Sequence, residues 1–262
     1  MSWTTIIFHQ ELQDLLTHDH YQGYIKYRLI RRASVKDIIE SLGPPHTEVG
    51  AIFANSQNQC LSYLVQPGDR LEIYPHTPPV DVTKNHLSRP ALPEIAFVVD
   101  VNVGKIARLL RMLGFDTAYD WTWPDKTIAR IAEQEKRIVL TRDRGLLKRK
   151  RIQWGRLLRT VTPTEQVKEV RSFFGLRPPY NLFSRCLRCN IPLIQVNKQE
   201  IIHRLEPKTK KYFHHFRMCP ECKRIYWPGS HHKKMYKWIQ ELEYPHSNPD
   251  QDSCSKDPAS QR

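Results

Sequence analysis

Four cysteines fall in two Cys-x-x-Cys pairs, CLRC (Cys186 and Cys189) and CPEC (Cys219 and Cys222), with 29 residues between the pairs. Each turn presents two thiolates from one tight knuckle. Two knuckles complete the tetrahedral four-sulfur shell that Zn²⁺ prefers. A closed shell leaves no position for a reacting water, so the spacing predicts a zinc that folds its module and does no chemistry. Redox CxxC motifs come singly, where a strand turns into a helix, and neither pair has that setting. His203, His214, His215, His231 and His232 lie in the same region but are not needed once four sulfurs fill the shell. Arg185, Arg188, Lys223 and Arg224 flank the knuckles, either as phosphate contacts or as a solvated rim.

A second set of residues suits hydrolysis. Asp100 directly follows the apolar run FVV, Asp120 follows a short strand signal ending at Tyr119, and Asp143 lies just past Ile138–Leu140. Asp125 opens a predicted helix on the same rim. In open parallel sheets the functional crevice lies beyond the carboxyl ends of the strands. Carboxylates gathered there repel one another unless a cation holds them. Hard oxygen ligands suit Mg²⁺ or Mn²⁺, which can activate water and offset charge in phosphodiester cleavage. The competing reading is structural: an Asp after a strand is often a turn or cap residue, and Asp125 in a first helical turn favours the helix dipole. Asp116 is expected to face solvent or form a turn. Glu133 and Glu135 read as a solvated helix end, with Glu135 near enough to reach the rim.

Asp143 sits inside a run of cations, RDRGLLKRKR, which raises the question of what one acid does among Arg142, Arg144, Lys148 and Arg149. The reading adopted is a metal ligand surrounded by groups that hold phosphates. Lys105, Arg108 and Arg111, at i, i+3 and i+6 of a predicted helix, serve the same purpose beside Asp100 or form a solvated face. The formal net charge is +14, with residues 1–90 nearly neutral and the remainder strongly cationic. Nucleic acid is the partner that this asymmetry favours, through counterion release. An anionic membrane surface is the weaker alternative, and no apolar stretch approaches a membrane span. The amino-terminal residues lack the pattern of a signal peptide, so a cytoplasmic location is expected.

The elements that must position these groups fall into three units. Residues 1–78 give strand signals at Thr4–Phe8 and Tyr24–Ile30, and then a helix over VKDIIESLG capped by Ser34 with Asp37 as its box partner. Further strand signals follow at Ala51–Phe53, Cys60–Val65 and Leu71–Tyr74, a ββαββ order that suits a β-grasp domain. Residues 79–93, rich in proline, read as a linker. Residues 94–178 alternate strand and helix, the sign of a doubly wound parallel sheet. They run through strands at Ile95–Val99, Phe115–Tyr119 and Arg137–Thr141, a basic helix, and a strand near Leu158–Val161. A last helix is capped by Thr162, with Pro163 in its first turn and Glu165 as box partner. Residues 179–244 hold the zinc ribbon, its hairpin between the knuckles, and a helix with Met235, Trp238, Ile239 and Leu242 on one face. Residues 245–262 have the composition of a disordered tail.

The blocks DVNVGKIARLLRMLGFDT, RIVLTRDRGLL, SRCLRCNIPL and CPECKRIYWPGSHHKKM, in this order, resemble the PIN-like ribonuclease domain with a fused zinc ribbon named after the carboxyl-terminal part of the Mut-seven exonuclease. SVKDIIESLGPPHTEVGAIFAN with PGDRLEIYP resembles the ubiquitin-like domain that often precedes it. The resemblance implies a PIN-like α/β fold and metal-dependent RNase activity. It carries Asp100 and Asp143 over as the acids after the first and third strands, with Asp125 as the helix acid. After Asp143 no carboxylate occurs until Glu165, so a fourth ligand is missing or is supplied by Asp120 or Glu135. Sulfur carriers of the ubiquitin-like fold need a free terminal Gly-Gly. Here the strand ends in YPHTPP and the chain continues, so RNA or protein docking fits that domain better. Two other readings stand beside the ribonuclease: a non-catalytic RNA-binding zinc-ribbon adaptor, and a scaffold built on the amino-terminal domain.

Overall fold

The computed structural model describes residues 3–17 and 23–243, excepting the side chains of 230–232, 234 and 243, so the tail expected over 245–262 lies outside the described residues. It divides into two compact units, Met1–Pro192 and Leu193–Arg262.

The first unit begins with a five-stranded mixed sheet in the order β2-β1-β5-β3-β4. Its strands are β1 (Trp3–Phe8), β2 (Ile25–Arg28), β3 (Val49–Ala54), β4 (Gln57–Asn58) and β5 (Arg70–Pro75). β1 and β5 run parallel in the centre, and the flanking pairs are antiparallel. Helix α1 (Val35–Leu42) buries Val35, Ile38, Ile39 and Leu42, the apolar stripe of its 3.6-residue period. Ser34 Oγ accepts from Asp37 N at 3.2 Å and Asp37 Oδ2 accepts from Ser34 N at 3.3 Å, which completes the expected capping box. Gly43 ends the helix at φ 130°, and a Cβ there would lie 2.2 Å from the Leu15 carbonyl oxygen. This is the β-grasp fold. The strand expected over Cys60–Val65 is instead turn-rich. Among the described residues its only ladder contact is a bridge from Leu64 to Ser34, because the segment turns to cap α1 with its Tyr63 and Leu61 carbonyls.

A four-stranded, all-parallel sheet follows in the order β7-β6-β8-β9. β6 (Ala96–Val99) and β8 (Ile138–Thr141) are buried on both faces, as central strands of a parallel sheet must be. β7 (Asp116–Ala118) and β9 (Gly155–Leu157) are the edges. Helices α2 (Lys105–Leu113) and α5 (Pro163–Phe174) pack on each other, and α3 (Asp125–Gln134) packs on β6 and β8. The basic helix expected after β8 is short: α4 spans only Arg144–Leu147. The last strand also lies earlier than expected, at Gly155–Leu157, because Val139 N donates to Trp154 O and so pulls that segment into the sheet.

The segment expected as a linker is packed. Val82, Leu92 and Arg89 are buried, Val80 N donates to Phe173 O at 2.7 Å, and Trp154 Nε1 donates to Pro90 O at 2.8 Å. One cluster of buried apolar side chains runs from Ile6, Phe8 and Ile39 of the β-grasp to Val98, Val139, Leu146 and Ile152 of the parallel sheet. Polar groups close the same seam. The Glu48 carboxylate, 2 % exposed, accepts from Leu157 N and from Arg156 Nη1, both at 2.8 Å. Arg156 also bonds Glu169 and lies 4.2 Å over the Phe173 ring. Arg89, 1 % exposed, donates to the carbonyls of His46 and Val49.

The second unit holds an antiparallel sheet in the order β10-β11-β12, made of β10 (Ile194–Val196), β11 (Phe216–Met218) and β12 (Ile225–Tyr226). Ile201, Leu205 and Phe216 form its small core. The segment between the knuckles is more than the expected hairpin, since it contains helices α6 (Lys198–Ile201) and α7 (Pro207–Tyr212). Helix α8 (Ser230–Glu243) buries Ile239 and Leu242 of its expected apolar face, with Met235 and Trp238 half-buried.

Removing one partner of a buried ion pair leaves an uncompensated charge. Glu48→Ala is expected to lower unfolding stability by about 3 kcal/mol at neutral pH, read from the denaturant midpoint. Burial, then the nearby Arg89 charge, then His86, hold the His76 imidazole well below its usual pKa. The folded state therefore binds fewer protons than the unfolded one, and His76 contributes stability that is lost as pH falls from about 6.5. The fall in Tm between pH 7.5 and 5.5 should be shallower in His76→Gln than in wild type.

Candidate active site and metal centre

Parallel pairing sets the rim. Val99 pairs with Leu140, and Asp100 N donates to Leu140 O at 3.0 Å, so Asp100 and Thr141 stand level at the ends of β6 and β8. Val98 pairs with Ala118, the last residue of β7, so Asp120 follows just past the carboxyl end of that strand on the other side of β6. Thr141 ties the two strand ends together. Its hydroxyl donates to Asp100 Oδ2 at 2.6 Å and accepts from Asp143 N at 2.9 Å. Asn102 completes the frame: its Nδ2 donates to Asp100 Oδ2 at 2.6 Å, and its Oδ1 accepts from Arg142 N at 3.1 Å. Asp100 is only 5 % exposed, and both its oxygens accept hydrogen bonds, Oδ1 from Val101 N at 2.6 Å. Asp143 is exposed, and its Oδ1 caps α4 by accepting from Gly145 N at 2.6 Å. Its Oδ2 takes no hydrogen bond among the described residues.

The other acids go elsewhere. Asp125 Oδ2 is 3.2 Å from Arg149 Nη2. Asp120 Oδ1 closes a turn by accepting from the Thr122 amide at 2.8 Å and hydroxyl at 2.6 Å, and these bonds lower its pKa. Glu135 pairs with Arg137, and Glu133 with Arg151. Asp116, expected at a solvated position, is half-buried against Arg137 and Arg185. Burial raises its pKa, but Arg137, Asn190 and Arg185 outweigh that and hold it low.

The expected phosphate-binding cations separate into two groups. Arg144 Nη1 donates to Leu15 O at 3.0 Å and Lys148 Nζ to Glu40 O at 2.7 Å, so both are spent on the β-grasp. With Arg149 paired to Asp125, three of the six are committed to the protein itself. Lys105, Arg108 and Arg142 are exposed and have no ion pair among the described residues. Arg111 does not share their face: it is 5 % exposed.

The CxxC turns share one geometry. In the first, Asn190 N donates to Cys186 O at 2.9 Å, Cys186 N donates to Ile191 O, and Asn190 has φ 69°. In the second, Lys223 N donates to Cys219 O at 3.0 Å, Cys219 N donates to Arg224 O, and Lys223 has φ 56°. The left-handed residue turns the chain back, so that both sulfurs of each knuckle face one point. Cys186 and Cys219 are buried, and Cys189 and Cys222 half-buried. The ligand atoms of Cys186, Cys189, Cys219 and Cys222 all lie within 4.8 Å of one another. A tetrahedral zinc with bonds of about 2.3 Å places its sulfurs about 3.8 Å apart, so the donor set fits Zn²⁺.

Hard divalent ions need only one or two carboxylates, completed by water and phosphate oxygens. Asp100 and Asp143 are joined through the Thr141 hydroxyl on one frame. Among the described residues, the cysteine quartet is the only group of three or more His, Cys, Asp or Glu placed to hold a metal, so Asp125 is not gathered with Asp100 and Asp143.

Several positioning residues were not singled out from the sequence. Asn102 and Thr141 carry no spacing signal, although the Asp-x-Asn of DVN is a turn-forming pattern. The first knuckle is latched to the sheet by residues that also read as ordinary. Arg111 donates to Thr117 O and to the knuckle carbonyls of Leu187 and Arg188, at 2.9, 3.1 and 2.7 Å. Asn190 accepts from Thr117 N at 3.0 Å and donates to Asp116 at 2.8 Å. Arg185, a candidate phosphate contact, bonds Gly114 O and Asn190 O instead.

The purified chain is expected to carry a single zinc by elemental analysis, and Cys219→Ser to lose it. Because zinc binding to such a site is folding free energy, the variant should also lose the protease resistance of Leu193–Leu242.

A model of the Mut7-C RNAse domain family matches residues 95–239, and one of the Mut7-C ubiquitin family matches residues 1–81. No curated protein and no solved structure matches the chain. The first match spans more than half the sequence and takes in the strand-end acids and both knuckles, so the chain belongs to the Mut7-C RNase domain family, with a Mut7-C ubiquitin-like domain ahead of it.

Proposed function

We propose that the protein is a ribonuclease that cleaves RNA phosphodiesters with the help of a Mg²⁺ or Mn²⁺ ion at Asp100 and Asp143. The observation that carries this is the Asp100–Thr141–Asp143 frame at adjacent parallel strand ends. The ion, when bound, would activate water and offset charge on the phosphate. The chain's own groups do the rest. Thr141 and Asn102 fix the Asp100 carboxylate, which leaves Oδ1 facing one hydrogen bond only, and Asp143 keeps Oδ2 for a ligand. Lys105, Arg108 and Arg142 are the cations left to hold the RNA backbone. In this reading Asp125 anchors Arg149, and neither is a first contact of the reaction. The zinc stays structural. No helix among the described residues is long and apolar enough to cross a membrane. A cytoplasmic RNA substrate fits the charge distribution, and the ubiquitin-like domain is the surface left for a protein partner.

The adaptor reading keeps one observation in its favour: Asp100 and Asp143 both cap short helical turns, a role that needs no metal. The two readings separate in one assay. Wild-type protein should cut unstructured RNA when Mn²⁺ or Mg²⁺ is supplied, and stop when that ion is withdrawn with zinc retained. Asp143→Asn should abolish cleavage while leaving RNA affinity near wild type. Thr141→Val should lower cleavage by about 10–100-fold, as expected for a residue that orients a ligand. Absence of cleavage by the folded, metal-supplied wild type would leave the adaptor standing.

A further inference from the structure

The stretch Tyr119-Asp120-Trp121-Thr122-Trp123 leaves β7 beside Asp100. Its outer aromatics anchor it. Tyr119 packs so closely on Gly104 that a Cβ there would fall 2.3 Å from the phenol oxygen. Trp123 packs on the apolar cluster under α3. Between them, the Asp120 side chain locks the turn through Thr122, and Trp123 N donates to Asp120 O at 3.3 Å. Trp121 sits at the apex of this rigid turn and is 74 % exposed. Its indole contributes little burial to the fold. Trp121 follows the carboxyl end of β7, the parallel neighbour of β6, and the carboxyl end of β6 leads directly into Asp100. Val101, 55 % exposed, adds a second apolar side chain on the same rim. Gly104, on which Tyr119 packs, precedes α2, and the exposed Lys105 and Arg108 of that helix have no ion pair among the described residues.

A fixed, solvated indole beside unpaired cations is the combination that binds an unpaired nucleobase: the ring stacks on the base and the cations hold its phosphates. We propose that Trp121 is a base-stacking platform that positions single-stranded RNA, so that the adjoining backbone lies over Asp100 and Asp143. A protein partner on the same indole is the alternative, disfavoured by the cations around it. The proposal rests on the ribonuclease reading for the identity of the bound polymer, but its readout is binding and not cleavage. A base held in a duplex has its faces covered by its neighbours, so paired RNA should gain nothing from Trp121.

The test uses the full zinc-loaded chain and a labelled single-stranded RNA oligomer, without added Mg²⁺ or Mn²⁺. Stacking on one aromatic is worth enough that Trp121→Ala should weaken binding about tenfold or more, with Trp121→Phe close to wild type. Quenching of tryptophan fluorescence by RNA should shrink in Trp121→Ala, and affinity for a blunt duplex should not change. An unchanged Tm in Trp121→Ala, expected for so exposed a side chain, excludes misfolding. Wild-type affinity of Trp121→Ala for single strands overturns the platform even if the protein cleaves RNA. A Trp121-dependent affinity in a protein that never cleaves supports the platform and removes the ribonuclease. Failure of the wild type to bind RNA at all overturns both.

Discussion

The buried carboxylate of Glu48 is the constraint on which the first unit turns. A carboxylate out of water needs partners for its charge and lone pairs. Glu48 finds them 108 and 109 residues away, in Arg156 and the Leu157 amide at the edge of the parallel sheet. That requirement fixes the β-grasp against β9, and with it the position of α4 and the start of the cationic run. Burial still raises the Glu48 pKa, with Arg156 opposing it, so the pair specifies an arrangement more than it adds net stability. Arg89 does the same for backbone carbonyls, donating to those of His46 and of Val49 at the start of β3.

This explains which parts of the molecule can be read from its sequence. Local devices are legible: the Ser34–Asp37 box, Thr162 before Pro163, the apolar β6 and β8 ending in acids, and the paired cysteines. Each depends on residues a few positions apart or on strand order. The fate of a cation is not legible, because it depends on a partner far along the chain. Arg144 and Lys148 look identical in sequence to Arg142, yet they serve carbonyls more than 100 residues distant while Arg142 stays in solvent. The proline-rich segment misleads for a related reason. Its composition is that of a spacer, but Val82, Leu92 and Arg89 find a complementary surface only in the finished fold. The acid frame was half legible. The sequence places Asp100 and Asp143 on the rim, while Thr141, which joins them, looks like any strand threonine.

The zinc knuckle and the sheet are also one piece of chemistry. Thr117 in β7 is held from both sides of its peptide: Arg111 takes the carbonyl and Asn190 the amide. Asn190 must adopt a left-handed backbone to close its knuckle, and asparagine tolerates that conformation well. So a residue chosen for turn geometry also sets the edge strand that neighbours Asp100. Metal folding and site geometry are linked through that one side chain.

The long reach of Glu48 also has a consequence during synthesis. The chain grows from its amino end, so the β-grasp emerges with an apolar face and an acid that has no counter-charge until Arg156 follows. Contacts of such sequence separation close slowly. The amino-terminal portion is therefore expected to complete its packing only after residues 156 and 157 have been synthesised.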